Sequence, residues 1–163
     1  MQIIVVSDNH GDKEILKKVL DANPNASLYL HLGDSEMLEY ELFPFISVKG
    51  NNDYYIEQES KIVSFSKYKA YMCHGHGMYL NEENMLNKAI ANNCKFFLFG
   101  HIHRPFIKEV NGIYLLCPGS LNYPRSNEGC TYLKIDISDE GNISINTVKI
   151  WLPFVNLIKV LCA

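Results

Sequence analysis

The chain is punctuated by short apolar runs rich in β-branched and aromatic residues, and five of them lead directly to Asp, Asn or His residues able to ligate a metal. The runs that read as strands are Gln2–Ser7, Ser27–Leu32, Phe45–Lys49, Lys61–Ser66, Lys69–Cys73 and Lys95–Phe99, with more toward the C-terminus. Between some of them lie helical stripes. Ile15, Leu16, Val19 and Leu20 recur at helical spacing within Asp12–Asp21, with Asp12 placed as an N-cap. Met85, Leu86, Ala89 and Ile90 form a second stripe after Asn81, another capping residue type. The later third changes to hairpins. Phe106–Val110 and Ile113–Cys117 flank Asn111-Gly112, two residues that both tolerate positive φ, and Thr131–Ile137 and Ile143–Ile150 flank Asp139–Asn142. Helices interleaved with strands early and hairpins late predict a layered α/β domain whose sheet is mixed rather than purely parallel.

With 163 residues, 47% of them hydrophobic, the chain can bury a real core and is expected to form one domain over residues 1–163. The apolar tail from Trp151, with Phe154, Val155, Ile158 and Leu161 at helical spacing, is expected to dock on that domain; a subunit or partner interface is the other reading, so a homo-oligomer stays open. Fifteen Lys and Arg against 18 Asp and Glu give a formal charge of −3, the wrong sign for coating long nucleic acid. The five cysteines show no two-residue pairing, which favours free thiols in a reducing compartment. The opening MQIIVVSD lacks the charge and length of a secretory signal, and no run reaches the roughly 20 apolar residues of a membrane span. A cytoplasmic protein with no membrane partner is expected.

The chemistry sits at the strand ends. IIVVS leads to Asp8 and His10, LYLHLG to Asp34, FISVKG to Asn51, AYMC to His74 and His76, and FFLFG to His101 and His103. Any one of them is explained by an ordinary turn or cap. Five strand ends that all carry nitrogen or oxygen ligands are not, because open α/β sheets gather their strand ends along one edge. Residues two apart in extended backbone point the same way, so Asp8/His10 and His101/His103 are each expected to aim both side chains at one spot. Only His31, inside a strand run, stands apart from this set. Gly33, Gly50, Gly75 and Gly100 flank the candidates, where a tight turn or close approach is needed. Asp8, His10, Asp34, Asn51, His74, His101 and His103 are too many ligands for one tetrahedral ion and suit two ions of higher coordination sharing a carboxylate and a water. The charge of two divalent ions would exceed that of Asp8, Asp34 and a hydroxide by about one unit, enough to draw in a phosphate ester.

The ordered set Asp8-Asn9-His10, Gly33-Asp34, Gly50-Asn51-Asn52-Asp53, His74-Gly75-His76 and Gly100-His101-Ile102-His103 resembles the calcineurin-like metallophosphoesterase superfamily. The early Ser7-Asp8-Asn9-His10-Gly11 and the later segment from Pro118 to Arg125 are similar to its small single-domain bacterial and archaeal phosphodiesterase branch. The resemblance runs from Gln2 to about Ile150. It implies a four-layer α/β/β/α fold, two mixed sheets packed as a sandwich with helices outside. It implies one ion on Asp8, His10 and His103, the other on Asn51, His74 and His101, with Asp34 bridging. Mn2+ is the activating ion it points to, although Fe, Zn or Ni would suit the same ligands. The implied activity is hydrolysis of a small phosphodiester by a metal-bridging hydroxide, with Asn52 and His76 as catalytic and substrate-binding residues contacting phosphoryl oxygens. Asn52 stands where many relatives carry a proton-donating His, which predicts faster turnover of aryl than alkyl esters. Asn9 and Cys117 also depart from the residues most often found at their positions. A phosphomonoesterase, a nucleotide pyrophosphohydrolase, or a non-catalytic protein-binding scaffold like the retromer subunit of this fold are the alternatives.

Overall fold

A computed structural model describes residues 1–151 of the chain. Strand β1 (Gln2–Val6) shows how the layers arise. Its side chains alternate, so Ile3 and Val5 point to one face and Ile4 and Val6 to the other, and all four are fully buried. A strand buried on both sides must lie between two layers. Ile3 and Val5 pack against Phe65, Ala70, Met72, Phe96 and Leu98 of a second sheet. Ile4 and Val6 pack against Ile15, Leu16 and Val19 of helix α1 (Lys13–Ala22).

The first sheet has the order β10-β9-β1-β2-β3, adding β2 (Leu28–His31), β3 (Ile46–Ser47), β9 (Thr131–Ile137) and β10 (Ile143–Lys149). The second has the order β4-β5-β6-β8-β7, from β4 (Ser60–Phe65), β5 (Tyr68–Cys73), β6 (Phe96–Leu98), β7 (Pro105–Val110) and β8 (Ile113–Pro118). Both are mixed. β1, β2 and β3 run parallel while β9 and β10 are antiparallel. β5, β6 and β8 run parallel while β4 and β7 are antiparallel. Helix α2 (Glu82–Ala91) covers the outer face of the second sheet through Met85 and Ala89, against Tyr71, Phe97, Phe99 and Leu115. The order of layers is therefore α/β/β/α.

Local signals fix both helices. Asp12 caps α1 by accepting from Ile15 N at 3.0 Å, and Asn81 caps α2 by accepting from Asn84 N at 2.8 Å. Each buried aliphatic side chain of α1 contributes about 1.5–3 kcal/mol over leaving it in water, so the stripe, not the cap, holds the helix on the sheet. The α2 stripe is narrower than its sequence suggests. Met85 and Ala89 are buried, whereas Ile90 is 63% exposed, because the Met85–Ala89 row faces the sheet and Ile90 lies one position around the helix. Asn111 and Gly112 adopt φ of 52° and 77°, as a two-residue hairpin turn requires. Strand β3 is shorter than Phe45–Lys49, since Phe45 turns into the α1 side of the core. Cys73, Cys94, Cys117 and Cys130 are buried free thiols. Among the described residues no helix is long and apolar enough to cross a membrane. Trp151 is exposed, and the remainder of the apolar tail lies outside the described residues.

Candidate metal centre

The parallel strands of both sheets end on the same side of the sandwich. β1 delivers Asp8 and His10, β2 Asp34, β3 Asn51, β5 His74 and His76, and β6 His101 and His103. Backbone bonds lace these ends together: Asp8 N to Gly33 O at 3.0 Å, His10 N to Asp34 O at 3.1 Å, and Gly100 N to His74 O at 2.9 Å, the last joining β5 to β6. The convergence expected from the sequence is present, but not through extended backbone. Asp8, His10, His101 and His103 have φ of 57°, 46°, 67° and 56°. Each pair therefore turns through left-handed residues, which aim the side chains inward while the chain changes direction. Asp34 and Glu36 share this conformation, so six of the nine positive-φ non-glycine residues described lie here. Asp, Asn and His tolerate it better than most residues, at a cost that a site must repay.

The imidazoles are oriented by what their Nδ1 atoms touch. His74 Nδ1 lies 2.7 Å from Leu32 O, His103 Nδ1 2.6 Å from Tyr123 O, and His10 Nδ1 2.7 Å from Glu36 Oε1. A carbonyl or carboxylate can only accept, so each Nδ1 carries a hydrogen, and a ring without a second proton presents a bare Nε2 lone pair. Those lone pairs face carboxylates. His103 Nε2 is 3.0 Å and His10 Nε2 4.0 Å from Asp8 Oδ1, and His74 Nε2 is 4.0 Å from Asp8 Oδ1 and 3.4 Å from Asp34 Oδ2. Asp8 Oδ1 and His10 Nε2 are buried without a hydrogen-bond partner. Acceptors turned on acceptors are repulsive until a proton or a metal cation enters between them, and imidazoles held by their second nitrogen are the usual arrangement of metal ligands. Two groups of three can each hold an ion: Asp8, His10 and His103, and Asp8, Asp34 and His74.

The charges agree. Asp8 is fully buried and Asp34 2% exposed, and among the described residues neither pairs with Lys or Arg. Burial pushes His74 and His103 down, but the carboxylates beside them prevail and hold both above their ordinary value. Burial pushes Asp34 up, and hydrogen bonds from His74 and Asn52 overcome this and hold it well below the usual carboxylate range. The pocket is built to keep Asp34 ionised and to attract positive charge.

Asp8 is common to both groups, and Asp34, the shared carboxylate that the resemblance implies, belongs to the second. Asn52 holds Asp34, its backbone N donating to Oδ1 at 2.8 Å and its Nδ2 to Oδ2 at 2.7 Å. Asn51 Oδ1 lies 3.2 Å from His74 Nε2, beside the second group. His101 and His76 are at its rim, with ring centroids 5.2 and 5.8 Å from that of His74. All nine residues singled out by the sequence thus gather at one edge of the sandwich.

Other residues emerge only from the structure. Asp53 is 3% exposed and accepts five hydrogen bonds, from Asp34 N and Gly50 N on Oδ2 and from Ser35 N, Ser35 Oγ and Glu36 N on Oδ1, all at 2.8–2.9 Å. It fixes the Asp34 loop to the Asn51 loop. Gly50 permits that approach, because a Cβ there would collide with the Asp34 backbone N and Oδ1. His31 is buried behind the site, its Nδ1 accepting from Gly33 N at 3.1 Å, so its Nε2–H donates to Asn9 Oδ1 at 2.8 Å. Ser120 Oγ donates to Asp8 O at 2.9 Å and braces the first loop. Cys117 lies under Gly100, its Sγ 3.8 Å from Gly100 O, and burial pushes its thiol up, so it stays uncharged. The adjacency of Asp53 to Asn51 and of Glu36 to Asp34 was the available signal for two of these.

Comparison with known proteins agrees with this geometry. Residues 1–140 match the calcineurin-like phosphoesterase superfamily domain. A Methanocaldococcus jannaschii protein named as a probable metallophosphoesterase is 33% identical over 135 residues, 77% of this chain and 70% of that protein. The crystal structure of a conserved predicted phosphoesterase from Streptococcus pneumoniae superposes with a TM-score of 0.82 at 29% identity, covering 91% of this chain and 88% of the other. The phosphodiesterase YfcE of Escherichia coli K12 is 23% identical over 180 residues, 92% of this chain and 95% of that protein.

Proposed function

The chain belongs to the calcineurin-like phosphoesterase superfamily, and we propose that within it the protein is a binuclear metal-dependent phosphodiesterase acting on small substrates. One observation carries the reading: three imidazoles whose Nδ1 atoms are tied down turn their Nε2 atoms onto two buried carboxylates that have no Lys or Arg partner among the described residues. The likeness to a named phosphodiesterase supports the reaction class. Asp8, His10 and His103 would hold one divalent ion and Asn51, His74 and His101 the other, with Asp34 as the shared carboxylate. Mn2+ is the ion that the family resemblance points to, and Fe, Zn or Ni suit the same donors. When bound, such ions supply positive charge to the phosphoryl oxygens and acidify water for attack on phosphorus.

The chain's own residues then bind and orient. Asn52 spends one amide hydrogen on Asp34 and keeps the other for a phosphoryl oxygen, and His76 at the rim offers a second contact. Neither Asn52 nor a neighbour in its loop places an acid beside the leaving group, so esters with good leaving groups are cleaved fastest. The buried free thiols suit a reducing compartment, and we place this one-domain protein in the cytoplasm.

Hydrolysis of bis(p-nitrophenyl) phosphate with Mn2+, with and without chelator, tests the reading. Asp34→Asn and His103→Ala should abolish the Mn-dependent rate while leaving the circular dichroism spectrum intact. A variant that keeps near-full activity would break the site assignment. A wild type inert with every divalent ion would favour a protein-binding scaffold on the same fold.

A further inference from the structure

Next to the candidate centre, a short loop is pinned at both ends. Asp53 is held by its five donors, and Ile56, 1% exposed, is buried in the core beside α1. The two residues between them, Tyr54 and Tyr55, are 90% and 67% exposed. Core packing gives no reason for two adjacent rings on a fixed loop to stand in water. With Glu36 and Asn52 they line a cavity of about 380 Å³, within the usual range of small-molecule sites. The other two walls touch the centre itself. Glu36 Oε1 accepts from His10 Nδ1 at 2.7 Å, and Asn52 donates to both oxygens of Asp34 at 2.8 and 2.7 Å. The cavity begins where the candidate ligands of both groups end.

The walls select what can occupy it. Tyrosine faces stack on flat π systems, and such stacking accepts any base. Glu36 leaves Oε2 to accept from an N–H or O–H donor, while its charge repels a second phosphate. Among the described residues no Lys or Arg lines the cavity to offset that repulsion. The fitting occupant is flat, aromatic, uncharged and rich in donors. Resting on the phosphodiesterase reading above, we infer that Tyr54, Tyr55 and Glu36 form a nucleobase subsite. The substrate is then a nucleotide ester with a single phosphate, rather than a nucleoside polyphosphate or an alkyl or lipid phosphodiester.

Thymidine 5′-p-nitrophenyl phosphate and ethyl p-nitrophenyl phosphate release the same leaving group and differ only in the nucleoside. Wild type, Tyr54→Ala/Tyr55→Ala and Tyr54→Phe/Tyr55→Phe are compared on both with Mn2+. The wild type should favour the nucleoside ester in kcat/KM. The alanine pair should lose roughly 10-fold or more of that preference, mainly through KM, and the phenylalanine pair should keep it. A preference unchanged within about twofold in the alanine pair, or equal losses on both esters, overturns the subsite. Equilibrium dialysis of thymidine 5′-monophosphate against the Mn-loaded proteins decides the same question without turnover. There the alanine pair should bind roughly 10-fold more weakly, with binding of inorganic phosphate unchanged. If no ester is hydrolysed, the phosphodiesterase reading fails, and dialysis still upholds or removes the subsite.

Discussion

Replacing Asp53 with Asn changes one oxygen into an amide and leaves the shape intact, so its effect isolates what the carboxylate does. The amide that keeps most bonds retains its oxygen toward Ser35 N, Ser35 Oγ and Glu36 N, and then turns its NH2 on Asp34 N and Gly50 N. Two buried backbone N–H groups lose their acceptor, at about 1–3 kcal/mol each. The three retained bonds fall from charge-assisted to neutral strength, at about 1 kcal/mol each. The sum is about 5–9 kcal/mol before relaxation, and relaxation on this surface-proximal loop brings the expected loss to about 4 kcal/mol. Against a total stability of about 5–15 kcal/mol this is large but survivable. Urea unfolding of Asp53→Asn should therefore show a midpoint far below wild type with the same slope. Because Asp53 also positions Asp34, the variant should bind Mn2+ at least tenfold more weakly in a calorimetric titration under conditions where it is folded. A loss under about 1 kcal/mol would mean that the five bonds are replaceable by water, and the account of the loop would be wrong.

Two further outcomes follow from the same neighbourhood. His31 is fully buried, and desolvation pushes it from its ordinary 6.5 down to about 4. Above pH 6.5 it is neutral in both states and contributes nothing to the pH dependence; between 6.5 and 4 the unfolded chain takes up a proton that the native state refuses, so stability falls with pH. At about 1.4 kcal/mol per unit this amounts to about 3 kcal/mol, visible as the difference in unfolding free energy between wild type and the non-titrating His31→Gln across that window. A difference that stays flat would show that His31 is charged when folded. At Gly50 the constraint is space rather than φ, so Gly50→Ala must displace Asp34 and should lose Mn2+ binding in the same titration. Gly77→Ala, which meets nothing within 4 Å at a φ of 70°, should cost about 1 kcal/mol of stability and keep the metal affinity.

What could be read from the chain alone was whatever a short window decides. Asp12 and Asn81 cap their helices because the acceptor and the N–H it serves are three residues apart. Asn111-Gly112 turns because both residues accept positive φ. The histidines and Asp34 were legible because they follow strand ends, and parallel strands bring their ends to one edge. The paired residues are aimed by left-handed turns at Asp8 and His10, not by the extended backbone their spacing predicts. Asp53 stands in the Gly50–Asp53 motif, but its role depends on Ser35, 18 residues away, and His31 acts through Asn9, 22 residues away, so no local pattern shows what either does. The same holds for the division of the strands into two sheets, which depends on which hydrophobic face meets which across the sandwich.

The placement of unfavourable features explains why the site and the fold are one problem. Six left-handed non-glycine residues cost about 1 kcal/mol each, and they share one edge with two buried carboxylates that have no Lys or Arg partner among the described residues. A chain selected for stability alone would scatter such costs or place an arginine between the carboxylates. Here the Nδ1 atoms of three imidazoles are fixed instead, and the surrounding acceptors leave only a cation as the counter-charge. Binding that cation favours the folded state by mass action, since the unfolded chain holds Asp8, Asp34, His74 and His103 too far apart to share it. The two layers of helix and the inter-sheet core supply the stability that this edge gives up, and the strain is what keeps the ligand atoms facing one another before the ion arrives.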